Sequence, residues 1–291
     1  VNGSTCGILA GVGTLTKRGD TVVVSRNCHR SVFHALELFS LKPVFLQPET
    51  VKSYGGFGSV SPIEVERVLK ANPNAKLVII TSPTYEGVIS NVKAIHNICH
   101  RSGVKLLVDE AHGAHLDLSP YFIGGAVAAG ADIVVQSLHK TLPALTQTAI
   151  LHSCGDIDED KLRHQLAVFQ SSSPSYLLMA SAEHAVAASS EAKMFAVWAE
   201  LIAKFTADVL NLKSIKLATG TEVGVYMRDP SKLVLTGKNG IELAFFLRER
   251  GIETEYSTKS FALAMTGVGD SRESFEALAS SLYEADKALD D

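Results

Sequence analysis

Cysteine is scarce. Cys6, Cys28, Cys99 and Cys154 are scattered through 291 residues and form no CxxC pair. A chain of this length needs no disulfide staples, so the spacing argues against a disulfide framework or a structural zinc site and for a reducing compartment. A strong charge imbalance is also missing. Lys and Arg number 27 against 31 Asp and Glu, a formal net charge of −4, which points to neither nucleic acid nor an anionic membrane as partner. No apolar run is long enough to span a bilayer. No internal repeat or low-complexity linker appears. The remainder is an ordinary composition, 46% hydrophobic and 20% charged, in a chain able to bury a sizeable core. The chain opens on Val1, and Asn2-Gly3-Ser4-Thr5 reads as the middle of a motif. An N-terminally truncated or processed chain is therefore expected, in the cytoplasm or an organelle interior such as a plastid.

Strand-like and helix-like stretches alternate up to about Pro143. "TVVVS" (21–25), "PVFLQ" (43–47), "KLVIITSP" (76–83), "VKLLVDEAHG" (104–113) and "ADIVVQS" (131–137) are apolar runs of strand length. Between them lie "HRSVFHALELFS" (29–40), "SPIEVERVLKAN" (61–72) and "NVKAIHNICHRSG" (91–103), with helical spacing and helix start or stop signals. Ser4 and Thr5 stand ready to cap a first helix, "CGILAGVGTLTK". Apolar strands alternating with helices predict an α/β fold with a mostly parallel sheet covered on both faces. From about Asp158 to Lys204 the pattern is helical. Beyond about Leu212, short strands "KLVLT" (232–236) and "SFALAMTG" (260–267) bracket a helix at 240–251, before an amphipathic stretch at 271–289. The expected organisation is a large domain, 1–205, and a smaller C-terminal α+β domain, 206–291.

Ligands of such sheets sit beyond the carboxyl ends of the strands. Ser82, Asp109, His112, Ser137, His139 and Lys140 fall there. "DEAHGAH" (109–115) invites comparison with nucleotide-driven motors, but that reading needs a GxxxxGK[ST] loop. "GGFGSVSP" lacks the lysine and "GVGTLTK" has the wrong spacing. His112 and His115, with Asp117, find no third histidine at suitable spacing, so no metal is expected.

Taken together these residues form another constellation. A helix start bearing Ser4 and Thr5 offers N–H groups and hydroxyls to a phosphate. His29 opens the next helix, where its ring can lie on an aromatic ring. Asp109 can keep a proton on a pyridine nitrogen, Ser137 can add a phosphate contact and Lys140 can form a Schiff base. That combination is what pyridoxal 5'-phosphate requires. Singly, each has a plainer reading. Ser4 and Thr5 are helix caps, His29 is a helix-start histidine, Asp109 a structural acid and Lys140 a solvated cation.

The ordered motifs "NGSTCG", "RNCHRS", "SPTYEGV", "DEAHGAH", "SLHKTLPALTQTA" and "SSSPSYLLMAS" resemble the group III pyridoxal-phosphate decarboxylases. These are the ornithine/lysine/arginine decarboxylases of fold type I, the aspartate aminotransferase-like superfamily. The resemblance runs from Asn2 to about Ser181 and is loose thereafter. It implies that Lys140 carries the cofactor and that Asp109 faces its pyridine nitrogen. His29 would stack on the ring, and Ser4, Thr5 and Ser137 would bind its phosphate. His112 would lie near the ring hydroxyl, with His139 beside the lysine in substrate or proton handling. It also implies a homodimer or larger homo-oligomer with the active site at the subunit interface, where Ser171 to Ser173 would reach the neighbouring cofactor. The implied reaction is decarboxylation of lysine, arginine or ornithine to an amine and carbon dioxide. Oxoamine synthesis, aldol-type cleavage and a non-catalytic assembly role are the alternatives. A basic substrate needs an acid at its far end, and Glu86, Glu110, Glu253 and Glu255 are not ranked by the sequence. Arg248, with Glu249 beside it, reads as a solvated helix face.

Overall fold

The computed structural model describes residues 1–288. The elements in chain order are α1 (Gly3–Leu15), β1 (Thr21–Ser25), α2 (Arg30–Leu38), β2 (Lys42–Leu46), β3 (Thr50–Val51), β4 (Gly56–Phe57), α3 (Pro62–Ala71), β5 (Ala75–Thr81), β6 (Val88–Ile89), α4 (Val92–Arg101), β7 (Lys105–Asp109) and β8 (Ile133–Ser137). They continue with α5 (Leu138–Thr141), β9 (Ala149–Ser153), α6 (Glu159–Phe169), α7 (Tyr176–Ala188), α8 (Ala192–Asp208), β10 (Lys216–Leu217), β11 (Met227–Arg228) and β12 (Lys232–Thr236). The last are α9 (Gly240–Arg248), β13 (Tyr256–Ser257), β14 (Phe261–Met265) and α10 (Arg272–Ala288). The helix expected at 271–289 forms as α10. Leu289 lies outside the described residues, as do Asp290 and Asp291 of the expected second domain.

The main sheet has the order β2-β1-β5-β7-β8-β9. The first five strands run parallel, and β9 is antiparallel to β8. The expectation of a mostly parallel, helix-covered sheet holds. Strands β1, β5, β7 and β8 are buried because both faces are covered, which is why they read as unbroken apolar runs. On one face Val65 and Val68 of α3 and Ile95 and Cys99 of α4 meet the sheet. On the other, Ile8 and Val12 of α1 pack with Val32 and Leu36 of α2. A second sheet, β10-β12-β14-β13, is antiparallel. It shares a core with α8, α9 and α10 around Trp198, Phe195 and Phe205. The sequence-based boundary at 205/206 falls inside α8.

Glycine brings α1 close to the sheet. A Cβ on Gly7 would lie 2.8 Å from Val135 Cγ1, and one on Gly11 would lie 2.9 Å from Leu107 Cδ1. Without those side chains the helix lies against β7 and β8, so its N-terminus reaches the carboxyl edge of the sheet.

Alternation along β7 sends Asp109 and Glu110 to opposite sides of the sheet end. Glu110 is fully buried and accepts hydrogen bonds from Ala126 N–H (2.7 Å) and Gln136 Nε2 (2.7 Å). Gln136 Oε1 in turn accepts from His152 Nε2 (2.9 Å). Burial pushes the Glu110 carboxyl up to about 8, against the pull of those two donors.

Two outcomes follow. Gly7→Val should lower unfolding stability by about 1–3 kcal/mol through overpacking. Gly267→Val, where an added Cβ meets nothing within 4 Å, should change it by less than about 0.5 kcal/mol; denaturant titration compares the two. For Glu110 the folded state keeps a proton that the unfolded carboxyl, with its ordinary value of about 4.3, releases. Its contribution is therefore full below about pH 4 and declines as pH rises to about 8. Glu110→Gln should remove that decline, so the thermal midpoint of the wild type should fall relative to the variant between pH 5 and pH 8. Parallel midpoints would contradict this.

Candidate active site

The carboxyl ends of β1, β5, β7 and β8 open on one cavity of about 380 Å³. Gly3, Ser4 and Thr5 line it from the first turn of α1, with Asn27 and His29 after β1. Thr81 ends β5, Asp109 ends β7, Ser137 ends β8, and His139 and Lys140 follow on α5. All eight residues singled out from the sequence as cofactor or catalytic candidates face this space: Ser4, Thr5, His29, Asp109, His112, Ser137, His139 and Lys140.

Helix α1 begins two to three residues earlier than the capping pattern suggests. Its N-cap is Asn2, which makes no side-chain cap bond. Ser4 and Thr5 therefore stand inside the first turn, and the free N–H groups of that turn make an anion-seeking end. His29 does cap α2. Its Nδ1 accepts from Ser31 N–H at 3.2 Å and lies 2.9 Å from Ser31 Oγ. The plain reading and the site reading hold together, because the capping bond fixes the ring that lines the cavity. Burial lowers its pKa, which favours the neutral ring.

Asp109 is buried at the floor, where Ala111 N–H donates to it at 3.1 Å. Among the described residues no cation lies within ion-pair distance of it. Burial lifts its carboxyl above the ordinary range, and the Ala111 N–H, Lys140 and His29 pull the other way. Lys140 Nζ donates to His112 Nε2 at 2.9 Å. Burial lowers the Lys140 ammonium, opposed by the nearby Asp109 and Glu255 carboxylates. Burial, then the Lys140 charge, holds His112 well below its usual value, so the ring is a neutral acceptor. His139 Nδ1 donates to Thr148 O at 3.1 Å, which orients that ring.

Several buried polar atoms here have no hydrogen-bond partner among the described residues: Ser137 Oγ, Thr81 Oγ1 and His112 Nδ1. Orphans of this kind mark a site built for a ligand's polar groups. The set fits a phosphorylated pyridine aldehyde. Ser4, Thr5, Ser137 and the start of α1 suit the phosphate, Asp109 a protonated ring nitrogen, His29 a ring face and Lys140 the aldehyde carbon.

Sequence reasoning missed part of this wall. Asn27, Arg30, Thr81, Tyr85, Thr146 and Gln147 also line the cavity. Tyr85 sits 4.4 Å, centroid to centroid, from the His112 ring, and its ring centre is 6.0 Å from Lys140 Nζ. Thr81 and Asn27 carried the same strand-end signal as Ser137, whereas Tyr85 sits in a loop that no periodicity marks. Ser171 to Ser173 do not line the cavity. They are exposed, and Ser171 N–H donates to Asn2 Oδ1 at 3.2 Å.

The structure also separates the four acids. Glu86 is buried and accepts from Tyr256 OH at 2.7 Å. Glu110 is held as above. Glu253 is gripped by Arg248 at 2.8 and 3.0 Å, on the exposed helix face expected for that arginine. Glu255 is exposed and accepts from Tyr85 OH. That bond, with burial as the larger cause, pushes the Tyr85 phenol up to about 12.

Among the described residues no helix is long and apolar enough to cross a membrane. The family model described as Orn/Lys/Arg decarboxylase, major domain, matches residues 1–223. An uncharacterized Bacillus subtilis protein, YaaO, is 38% identical over 284 residues, covering 94% of this chain and 58% of the relative. The arginine decarboxylase of the same organism is 32% identical over 295 residues, covering 98% and 60%. The chain thus spans about three fifths of the length of these curated relatives. Among solved structures, the lysine decarboxylase of Francisella novicida superposes with a TM-score of 0.87 at 23% identity, covering 99% of this chain and 48% of that one. Serine palmitoyltransferase of Sphingomonas wittichii gives 0.78 at 17%, covering 99% and 71%. With its ordered motifs, strand-end cavity and matching major domain, this chain belongs to the ornithine/lysine/arginine decarboxylase family of fold type I pyridoxal-phosphate enzymes.

Proposed function

We propose that the cavity binds pyridoxal 5'-phosphate through Lys140 and decarboxylates a basic amino acid. The observation that carries this reading is the meeting of four features in one space. They are a buried carboxylate with no cation among the described residues, a desolvated lysine on a neutral histidine, an uncapped helix start and orphaned hydroxyls. When bound, the cofactor supplies an electron sink for the pair left by a departing carboxylate. Asp109 would keep a proton on the ring nitrogen, since that cation would relieve the carboxylate's desolvation. Ser4, Thr5, Ser137 and the α1 N–H groups would hold the phosphate, and His29 would face the ring. Burial of Lys140 favours the amine form that can react with an aldehyde, and His112 Nε2 accepts from Nζ and orients it. Lys140 or His139 returns a proton to the substrate carbon after carbon dioxide leaves.

Glu255 is the acid best placed for the far end of a basic substrate. Glu86, Glu110 and Glu253 are engaged elsewhere. Glu255 hangs from Tyr85 at the cavity wall, and its charge is felt at Lys140. The named relatives include arginine decarboxylases, which agrees with a basic side chain. A homodimer with Ser171 to Ser173 at the neighbouring site belongs to the same proposal.

Protein supplied with the cofactor should release carbon dioxide and the matching amine from at least one of lysine, arginine and ornithine. Lys140→Ala should abolish it. Glu255→Gln should raise KM about tenfold with little change in kcat, the loss of one charge-assisted contact. A ketone or aldehyde product, or equal turnover of neutral amino acids, would contradict the reading.

A further inference from the structure

A buried polar cluster outside the cavity ties the two sheets together. His115, Asp229 and Lys232 are all fully buried. His115 Nε2 lies 3.2 Å from Asp229 Oδ1, and Lys232 Nζ lies 3.6 Å from Asp229 Oδ2. Ser231 N–H donates to Asp229 Oδ1 at 2.9 Å. The His115 ring packs against Phe122 and Trp198, each at 5.2 Å. Burial opposes ionisation of Asp229, but the His115 and Lys232 charges outweigh it and hold the carboxyl well below its ordinary range.

The cluster joins three segments that bear on the cavity. His115 belongs to the turn carrying His112. Asp229 N–H donates to Gly87 O at 2.8 Å, in the loop carrying Tyr85. Gly87 is pressed onto the Lys232 stem, where a Cβ would lie 2.7 Å from Lys232 Cβ and Cγ. From Lys232 the ladder runs β12 to β14 to β13, pairing Lys232 with Met265 and Tyr256 with Leu263. Strand β13 begins beside Glu255, and Tyr256 OH returns to Glu86 at 2.7 Å. The circuit closes on the loop from which it started. Buried ion pairs add little net stability compared with apolar replacements, so a specific geometric task is the better account of this one.

We propose that Asp229 is a positioning residue. Its bond to His115 sets the second sheet against the His112 turn and so fixes the span between Glu255 and Lys140. This rests on the proposed reading of the cavity.

Two charge-neutral variants isolate the bond. Asp229→Asn with Lys232→Met keeps an acceptor for His115, whereas Asp229→Leu with Lys232→Met removes it. His115→Phe removes the same bond from the other side and serves should the Leu variant fail to fold. Hydrogen exchange on cofactor-free protein, and KM for basic amino acids on loaded protein, are the readouts. The Leu and Phe variants should exchange about tenfold faster at residues 85–89 and 254–257 while β5 and β7 stay protected. Their KM should rise about tenfold with kcat nearly unchanged. The Asn variant should match the wild type in both. Equal exchange and KM in the Asn, Leu and Phe variants would overturn the proposal. Local loosening in proteins none of which turns over a basic amino acid would contradict the cavity reading and leave the docking role of Asp229 standing.

Discussion

Asp109 sits buried at the end of a central strand, among the described residues beside no paired cation. A carboxylate in that position is costly unless a positive partner arrives. The surrounding structure is arranged for that arrival. The parallel strands end together, so their last residues share one space, and glycines let α1 lie close enough to bring its N-terminus there. Lys140 and His112 then face the same space at hydrogen-bond distance. The site is thus a consequence of sheet topology: strands that finish in line present their terminal side chains as a set.

Electrostatics within the cavity follow from burial. Desolvation lifts Asp109 and lowers Lys140, His112 and His29. A neutral amine is the reactive form of a lysine, and a neutral ring is the better hydrogen-bond acceptor. The same burial raises Glu110 on the other side of the sheet end, where two donors hold it instead of a ligand. Adjacent acids in one motif thus meet opposite fates, one satisfied within the fold and one left for a ligand.

Much of this was legible in the sequence. Buried parallel strands announce themselves as apolar runs, and β1 falls on the expected residues 21–25, as β12 of the antiparallel sheet does on 232–236. Asp109, His112, Ser137, His139 and Lys140 line the cavity, whereas Ser82 does not, its Oγ accepting from Ser90 N–H. Legibility failed where distant segments decide. Nothing in "KLVLT" says that Lys232 is fully buried, because its partner Asp229 and the packing of Gly87 exist only in the fold. The choice among four glutamates needed their neighbours, since Arg248 neutralises Glu253 and Tyr256 engages Glu86. Strand β9 was missed because, as a half-buried edge strand, its apolar run breaks at His152 and Ser153. The Ser4-Thr5 capping pattern is off by two to three positions, since Gly3, at φ +79°, lets the helix start from Asn2.

The most direct test of the central claim is to incubate the folded protein with pyridoxal phosphate, reduce it with borohydride and map the added mass by peptide mass spectrometry. The account predicts about one label per chain, on the peptide that contains Lys140, the desolvated lysine beside His112. A folded protein labelled only on exposed lysines, or not at all, would contradict it.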